Sequence, residues 1–108
     1  MEGRDRSSTV LLLVDLIKES KLDSDQITKI INIINNLSIA TENQKKRFMM
    51  YYGLNTNGIK SKNFTEIAKI YGCTVSAIRC SVITVKNKLS RLNEEFDIIE
   101  EIVNSFEN

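Results

Sequence analysis

Basic side chains are the most distinctive chemical groups in this sequence, and they are concentrated in one part of it. Residues 44–92 carry ten Lys or Arg and one acid, so this segment has a net charge of +9 in a chain whose formal total is +1. Residues 93–108 carry six acids and no base. Clustered Lys and Arg are typical of surfaces that neutralise phosphates. We therefore expect residues 44–92 to face a phosphate-rich partner.

The segment 63–92 holds half of these basic residues, and its spacing predicts two helices joined by a tight turn. Asn63 and Glu66 have the spacing of a capping box, and Gly72 suits a turn that needs positive φ. Thr74 can cap the second helix. Apolar residues then recur at helical spacing, at Ile78, Val82, Val85 and Leu89. This is the pattern of a DNA-binding helix-turn-helix, whose second helix lies in the major groove.

The outward face of that second helix follows from its apolar stripe. If the stripe points inward, five residues near the helix start are candidates for contacts with DNA bases: Val75, Ser76, Arg79, Cys80 and Ile83. An arginine can donate two hydrogen bonds to a guanine edge, which is worth about 1–3 kcal/mol of discrimination. The alternative for Arg79 is a surface salt bridge to the acidic C-terminal segment, worth about 0–1 kcal/mol.

A second set of basic residues is better placed for phosphates than for bases. Three of them, Lys45, Lys46 and Arg47, are consecutive, so they fan around their helix and at least one should reach a DNA backbone. For any single member, simple solvation is the alternative. The candidates for DNA backbone contacts are Lys45, Lys46, Arg47, Lys60, Lys62, Lys86 and Lys88.

Two stretches of the chain resemble region 4 of bacterial sigma factors, the part that reads the −35 promoter element. The family has Met-x-Phe-Gly-hydrophobic at a helix end, and this chain has Met50-Tyr51-Tyr52-Gly53-Leu54. After a polar loop the family has Leu-x-Glu-hydrophobic-Ala/Gly, and this chain has Phe64-Thr65-Glu66-Ile67-Ala68. The resemblance covers residues 27–92. It implies a free-standing regulator that recognises promoter DNA and contacts RNA polymerase, through the flap of its β subunit, or a sigma subunit.

Three further helices are predicted before this motif. Ser8 or Thr9 can cap a helix over residues 10–20, Asp23 can begin the next, and Thr41 has a Gln three positions on that completes a capping box. The apolar surface of the first helix is broad, so either the core or a partner must cover it. The predicted division is an N-terminal apolar helix (1–22), a helix-turn-helix domain (23–92) and an acidic amphipathic C-terminal helix (93–108).

The second helix of the motif has no evident stop. Apolar residues continue from Ile78 to Phe106 with alternating spacings of four and three, and neither Gly nor Pro follows Cys73. A heptad repeat of this length indicates a coiled coil, so one interpretation is a long helix that pairs with a second copy. The other interpretation breaks the helix near Asn93 and folds the remainder onto the core. The candidate partner or dimer face is Leu92, Phe96, Ile99, Val103 and Phe106.

Composition argues against catalysis, a metal site and a membrane span. The chain has no His, and neither an acid–base cluster nor a phosphate-cradling glycine loop is evident. Cys73 and Cys80 have no further Cys or His to complete a metal site, so we expect reduced thiols and no cofactor. The longest apolar run, residues 10–14, is too short to cross a bilayer. We expect a cytoplasmic protein that is not an enzyme.

These observations predict an all-α fold, a small helical bundle that contains a helix-turn-helix. The first functional hypothesis is a transcription regulator that binds double-stranded DNA. The second is a protein-interaction module of the anti-sigma or co-regulator type that keeps the fold with weak or no DNA binding. The +9 segment favours the first hypothesis, whereas the small number of base-reading side chains favours the second.

Overall fold

A computed structural model describes residues 5–106 as a small all-α bundle of six helices, as the sequence predicts. Within that range the chain forms no strand. The helices are α1 (Arg6–Lys18), α2 (Ser24–Asn35), α3 (Glu42–Tyr52), α4 (Phe64–Tyr71), α5 (Val75–Leu89) and α6 (Phe96–Asn104).

Most helix starts are fixed by side chains close in sequence. Capping boxes begin α2, α3 and α4, at Asp23, Thr41 and Asn63. The Thr74 hydroxyl caps α5 by accepting from the N–H of Ala77 at 3.1 Å. Each cap satisfies backbone donors that the first helical turn leaves unpaired. The predicted starts of these four helices are therefore confirmed.

The predicted start of α1 is wrong. The helix begins at Arg6, and its cap is Asp5, whose carboxylate accepts from the N–H of Ser8 at 2.7 Å. This hydrogen bond lowers the pKa of Asp5. Thr9, one of the two predicted caps, lies inside the helix, where its buried hydroxyl donates to the Asp5 carbonyl. The acidic cap lies five residues before the apolar run, so the start of that run does not mark the helix start.

One hydrophobic core unites the three segments predicted from the sequence. Its buried residues come from α1, α2, α3, α5 and α6, and include Leu13, Ile34, Phe48, Val85 and Ile99. A smaller cluster of Ile67, Ala68 and Ile78 lies where α4 crosses α5. This core covers Val10, Leu13, Val14 and Ile17 of α1, whereas Leu11 and Leu12 stay exposed.

The chain breaks between α5 and α6, so the continuous helix is not formed. Phe96, Ile99 and Val103 are buried inside the same chain against α1 and α2, and Leu92 packs partly against them. These positions of the predicted dimer face are therefore not available to a second copy. Of that face, only Phe106 is largely exposed.

The reason for this correction is the width of the α6 stripe. Ile102 is buried together with Phe96, Ile99 and Val103. That spacing gives the broad apolar face of a helix packed on a globular core, whereas a coiled coil needs only a narrow seam. Helix α1 covers the apolar face of α6 and runs parallel to it. Arg6 lies over the Phe96 ring at one end, and Glu19 shares a groove with Phe106 at the other.

Taken one at a time, none of the helices within residues 5–106 is long and apolar enough to cross a membrane. Helices α4 and α5 reach that length and composition only as a bent pair.

Candidate nucleic-acid interface

Helices α4 and α5 meet at a sharp angle across a three-residue turn. Their axes differ in direction by 106°, and Gly72, with φ +63°, ends α4 in the left-handed conformation. The N–H of Cys73 donates to the Ala68 carbonyl at 3.0 Å, which closes the turn. Because Ala68 is small and buried against Ile78, the two helices can approach closely. The turn and the packing together fix the direction of α5.

The predicted outer face of α5 is exposed. Ser76, Arg79, Cys80 and Ile83 are all exposed, and Val75 is half-buried beside the smaller cluster. On the opposite side, Ile78, Val82 and Val85 are fully buried. The apolar stripe therefore orients the helix as the sequence predicts. A ligand can reach the five candidate base-contact residues.

Arg79 rests on an aromatic layer that the sequence analysis did not find. Its guanidinium carbon lies 5.5 Å from the Phe64 ring centre. Phe64 stacks on Tyr51 with ring centres 4.3 Å apart and an interplanar angle of 6°. Lys18 lies over Tyr51 at 4.3 Å and donates to its hydroxyl. Four side chains from α1, α3, α4 and α5 thus form one continuous stack.

The alternative salt bridge for Arg79 is absent from the described part of the chain. The ion pairs within residues 5–106 are local: Lys21 pairs with Glu19 at 3.5 Å, and Lys45 pairs with Glu42 at 3.3 Å. The guanidinium donors of Arg79 remain exposed, so they can hydrogen-bond to an incoming group.

The predicted backbone-contact residues divide into two groups. Lys46 and Lys60 are exposed, Lys62 and Lys86 are half-buried, and none of their ammonium groups is engaged by another side chain or carbonyl among residues 5–106. These four can meet phosphates.

Lys45 is engaged inside the fold, which corrects its prediction as a DNA backbone contact, whereas Lys88 makes one hydrogen bond at the surface. The ammonium of Lys45 is buried and donates to the Asn35 carbonyl at 3.1 Å and to the Glu42 carboxylate at 3.3 Å. Lys88 donates to the Ile39 carbonyl. Each ammonium stabilises the segment between α2 and α3. Leaving that position for a phosphate would break these hydrogen bonds.

Arg47 is also an interhelical contact and not a free phosphate ligand. Its guanidinium lies 4.6 Å from the Tyr71 ring centre, and Nη1 donates to the Ser81 hydroxyl at 2.9 Å. Its Nε is buried without a hydrogen-bond partner within residues 5–106. Arg47 therefore joins α3 to α4 and α5. The sequence analysis missed this contact. Its signal was Ser81, a polar residue on the buried side of α5, whose hydroxyl also donates to the Ala77 carbonyl.

Two of the grooves in the structure are lined by candidate contact residues. One of about 280 Å³ lies between the end of α3 and the loop 54–62, with Lys46, Lys60 and Lys62 at its rim. Another of about 180 Å³ brings Ile83 and Lys86 of α5 beside Leu11 of α1. Helix α1 thus flanks the later part of α5.

The site has no feature of a metal centre in the described part of the chain. No group of three or more His, Cys, Asp or Glu within residues 5–106 could hold a metal ion. Cys73 is half-buried and Cys80 exposed, and both are free thiols.

Comparisons with known proteins add no identification, since no family model, no curated protein and no solved structure matches the chain.

Proposed function

We propose that this chain is a transcription regulator that binds double-stranded DNA through α4, the turn and α5 as a helix-turn-helix. The observation that carries the proposal is the 106° angle between α4 and α5 combined with the exposed outer face of α5. Helix-turn-helix motifs cross at about 90–120° over a turn of three or four residues that often contains Gly. In such motifs the start of the second helix meets base edges in the major groove.

Within this proposal Arg79 is the main base-reading residue. It donates to a guanine edge, whereas Ser76 can donate or accept and Val75 can touch a thymine methyl. Cys80 and Ile83 complete the face, with Ile83 nearest to α1. A single strong base contact makes the intrinsic sequence discrimination modest, so phosphate contacts supply most of the affinity.

The phosphate contacts of the proposal are Lys46, Lys60, Lys62 and Lys86. Their ammonium groups have no internal partner in the described range, so no hydrogen bond must break before they bind DNA. The acids of α6 carry the opposite charge and would repel a duplex, so the proposal turns α6 away from the DNA. By resemblance to sigma region 4, we extend the proposal to a contact with RNA polymerase, through its β flap, or a sigma subunit, in the cytoplasm.

The alternative function is a protein-interaction module of the anti-sigma or co-regulator type. Five exposed aliphatic side chains favour it, since each is more than 40% accessible: Leu11, Ile39, Ile59, Ile70 and Ile83. The hydrogen bonds that Lys45, Arg47 and Lys88 make within the same chain also favour it, because fewer free cations are left to meet phosphates.

The decisive experiment measures binding to a random-sequence duplex pool by fluorescence anisotropy across a salt series. Four phosphate contacts would make log K fall with log salt with a slope of roughly −3 to −4. A Lys86→Glu variant should weaken binding to every sequence. Lys29→Glu is the matched control, because it reverses one exposed charge on α2, outside the basic segment.

Equal loss in both charge-reversal variants would show that only total charge matters, and would contradict the proposed interface. Absence of binding at low salt would favour the interaction module. A pull-down with RNA polymerase would then test that function directly.

A further inference from the structure

An exposed apolar side chain stands beside two lysines on the loop that follows α3. Ile59 is 57% accessible, and Lys60 and Lys62 follow it at the rim of the same groove. The Asn55 side chain holds this loop in shape, since its amide donates to the Ile59 carbonyl at 2.8 Å and its oxygen accepts from the Ile59 N–H at 3.0 Å. The loop therefore presents an apolar tip with positive charge beside it.

A groove of about 250 Å³ between α1 and α6 has the opposite character. Its apolar lining includes Leu12 and Phe106, which are 37% and 41% accessible. Asp15 and Glu19 of α1 also line it. Asp15 is exposed and has no ion pair within residues 5–106, and Glu19 pairs only with the neighbouring Lys21. The groove therefore presents an apolar floor with negative charge beside it.

We propose that the loop of one copy of this chain docks into the α1–α6 groove of a second copy. Ile59 would contact Leu12 and Phe106, and Lys60 and Lys62 would face Asp15 and Glu19. The basic loop with its apolar tip and the acidic groove with its apolar floor are complementary in charge and lie on the same chain. This complementarity identifies the occupant of the groove as a second copy of the chain. The contact is head-to-tail, because the loop and the groove are different surfaces. It differs from the predicted coiled coil, whose main positions are buried.

The interaction is small and partly electrostatic, so we expect it to be weak and to depend on salt. Opposite surface charges steer association and fix the register, and screening weakens them as ionic strength rises. Sedimentation equilibrium of the DNA-free protein should give an average mass above the monomer value of 12.3 kDa that rises with protein concentration. The same samples at high salt should return toward 12.3 kDa.

Charge exchange provides the specific test. Lys60→Glu with Lys62→Glu makes the loop acidic, and Asp15→Lys with Glu19→Lys makes the groove basic. Each double variant alone should associate at least about tenfold more weakly than the wild type, because like charges then meet. A mixture of the two should associate again, since each loop then meets a groove of opposite charge. Ile59→Ser should weaken association without any change in charge.

Circular dichroism at each protein concentration establishes that the variants are folded. Monomeric wild-type protein at about 1 mM and low salt would overturn the proposal, since standard interfaces are stable far below that concentration and weak ones become visible there. Continued association of either folded double variant alone would also overturn it. So would a mixture that stays monomeric. None of these measurements contains DNA, so their outcome is independent of the proposed function.

Discussion

The guanidinium of Arg79 lies over the face of the Phe64 ring, 5.5 Å from its centre, and Phe64 in turn stacks on Tyr51. The one arginine on the outer face of α5 thus lies against a stacked aromatic pair. Cation–π contacts at exposed sites are worth about 0.5–1 kcal/mol, enough to favour one position of a long side chain without fixing it. Arg79 can therefore leave the ring when a stronger acceptor arrives.

Replacing Arg79 by Ala should reduce sequence discrimination more than overall affinity. Loss of a two-hydrogen-bond contact to guanine corresponds to about 1–3 kcal/mol, or roughly 5- to 150-fold in the ratio of preferred to random sequence. Site selection followed by anisotropy on both duplexes measures that ratio. Arg79→Lys is the control that keeps the charge and loses the planar fork. An unchanged ratio in Arg79→Ala would mean that Arg79 does not read a base.

Two neighbouring lysines on α3, Lys45 and Lys46, should differ in their contribution to the free energy of unfolding. Lys45→Ala removes a buried ammonium that serves the Asn35 carbonyl and the Glu42 carboxylate, so we expect the free energy of unfolding to fall by roughly 1–3 kcal/mol. Lys46→Ala, one residue on and exposed, should change it by less than about 0.5 kcal/mol. Urea denaturation measures both. Equal stability of the two variants would contradict the internal role of Lys45.

Two helix-ending glycines offer a comparison of strain with crowding. Gly72→Ala should destabilise the fold by about 1–2 kcal/mol, because φ is +63° and an L side chain is strained there. A new Cβ at this position meets no atom within 4 Å, so backbone strain acts without crowding. Gly53→Ala should be more damaging, because φ is +68° and the new Cβ lies 3.1 Å from the backbone nitrogen of Ser61. Thermal unfolding of both variants ranks them. The reverse order would show that the loop after Gly53 moves aside easily.

Tyr52 should make the fold less stable at high pH. Burial, together with the negative charges of Tyr51 and Asp15, raises the pKa of Tyr52 to about 12 from its ordinary value of 10.0. Between these values the unfolded chain loses the phenolic proton and the folded chain keeps it. The stabilising effect is therefore complete below pH 10 and is lost as pH rises toward 12, by at most about 3 kcal/mol.

Absorbance titration of the phenolate in the wild type and Tyr52→Phe checks this. The variant should lack the titration step near pH 12, and its free energy of unfolding should decline less steeply above pH 10. A variant that loses its absorbance change near pH 10 and not near pH 12 would show that the pKa of Tyr52 is not raised.

The sequence alone located four helix starts at which the two partners of the capping hydrogen bond lie a few residues apart. The caps at Asp23, Thr41, Asn63 and Thr74 depend on side chains within three positions. It could not choose between a coiled coil and a packed helix for α6, because Ile99 and Val103 fit both patterns. Burial of Ile102 decides between them, and that burial depends on α1, which lies about eighty or more residues earlier in the chain.

The site was predictable only in part for a related reason. The outer face of α5 follows from the 3.6-residue period, so its exposed residues were found. Lys45, Lys46 and Arg47 are consecutive basic residues that the sequence does not distinguish. In the fold Lys45 is buried against the end of α2, Lys46 is exposed to solvent, and Arg47 contacts Tyr71 and Ser81. Which lysine remains free depends on neighbours that only the folded structure brings together. The Tyr51–Phe64 stack was missed because it joins residues across a loop.

The parallel pairing of α1 with α6 has a consequence for biosynthesis. Helices α3, α4 and α5 can pack on one another as soon as they leave the ribosome. The part of the α1 face that packs on α6 must wait until α6 has been translated, although α1 is made first. During that interval this part of α1 is uncovered, and such surfaces are prone to aggregation or chaperone capture. Pauses in translation between residues 90 and 96 would therefore lengthen the most vulnerable stage of the nascent chain.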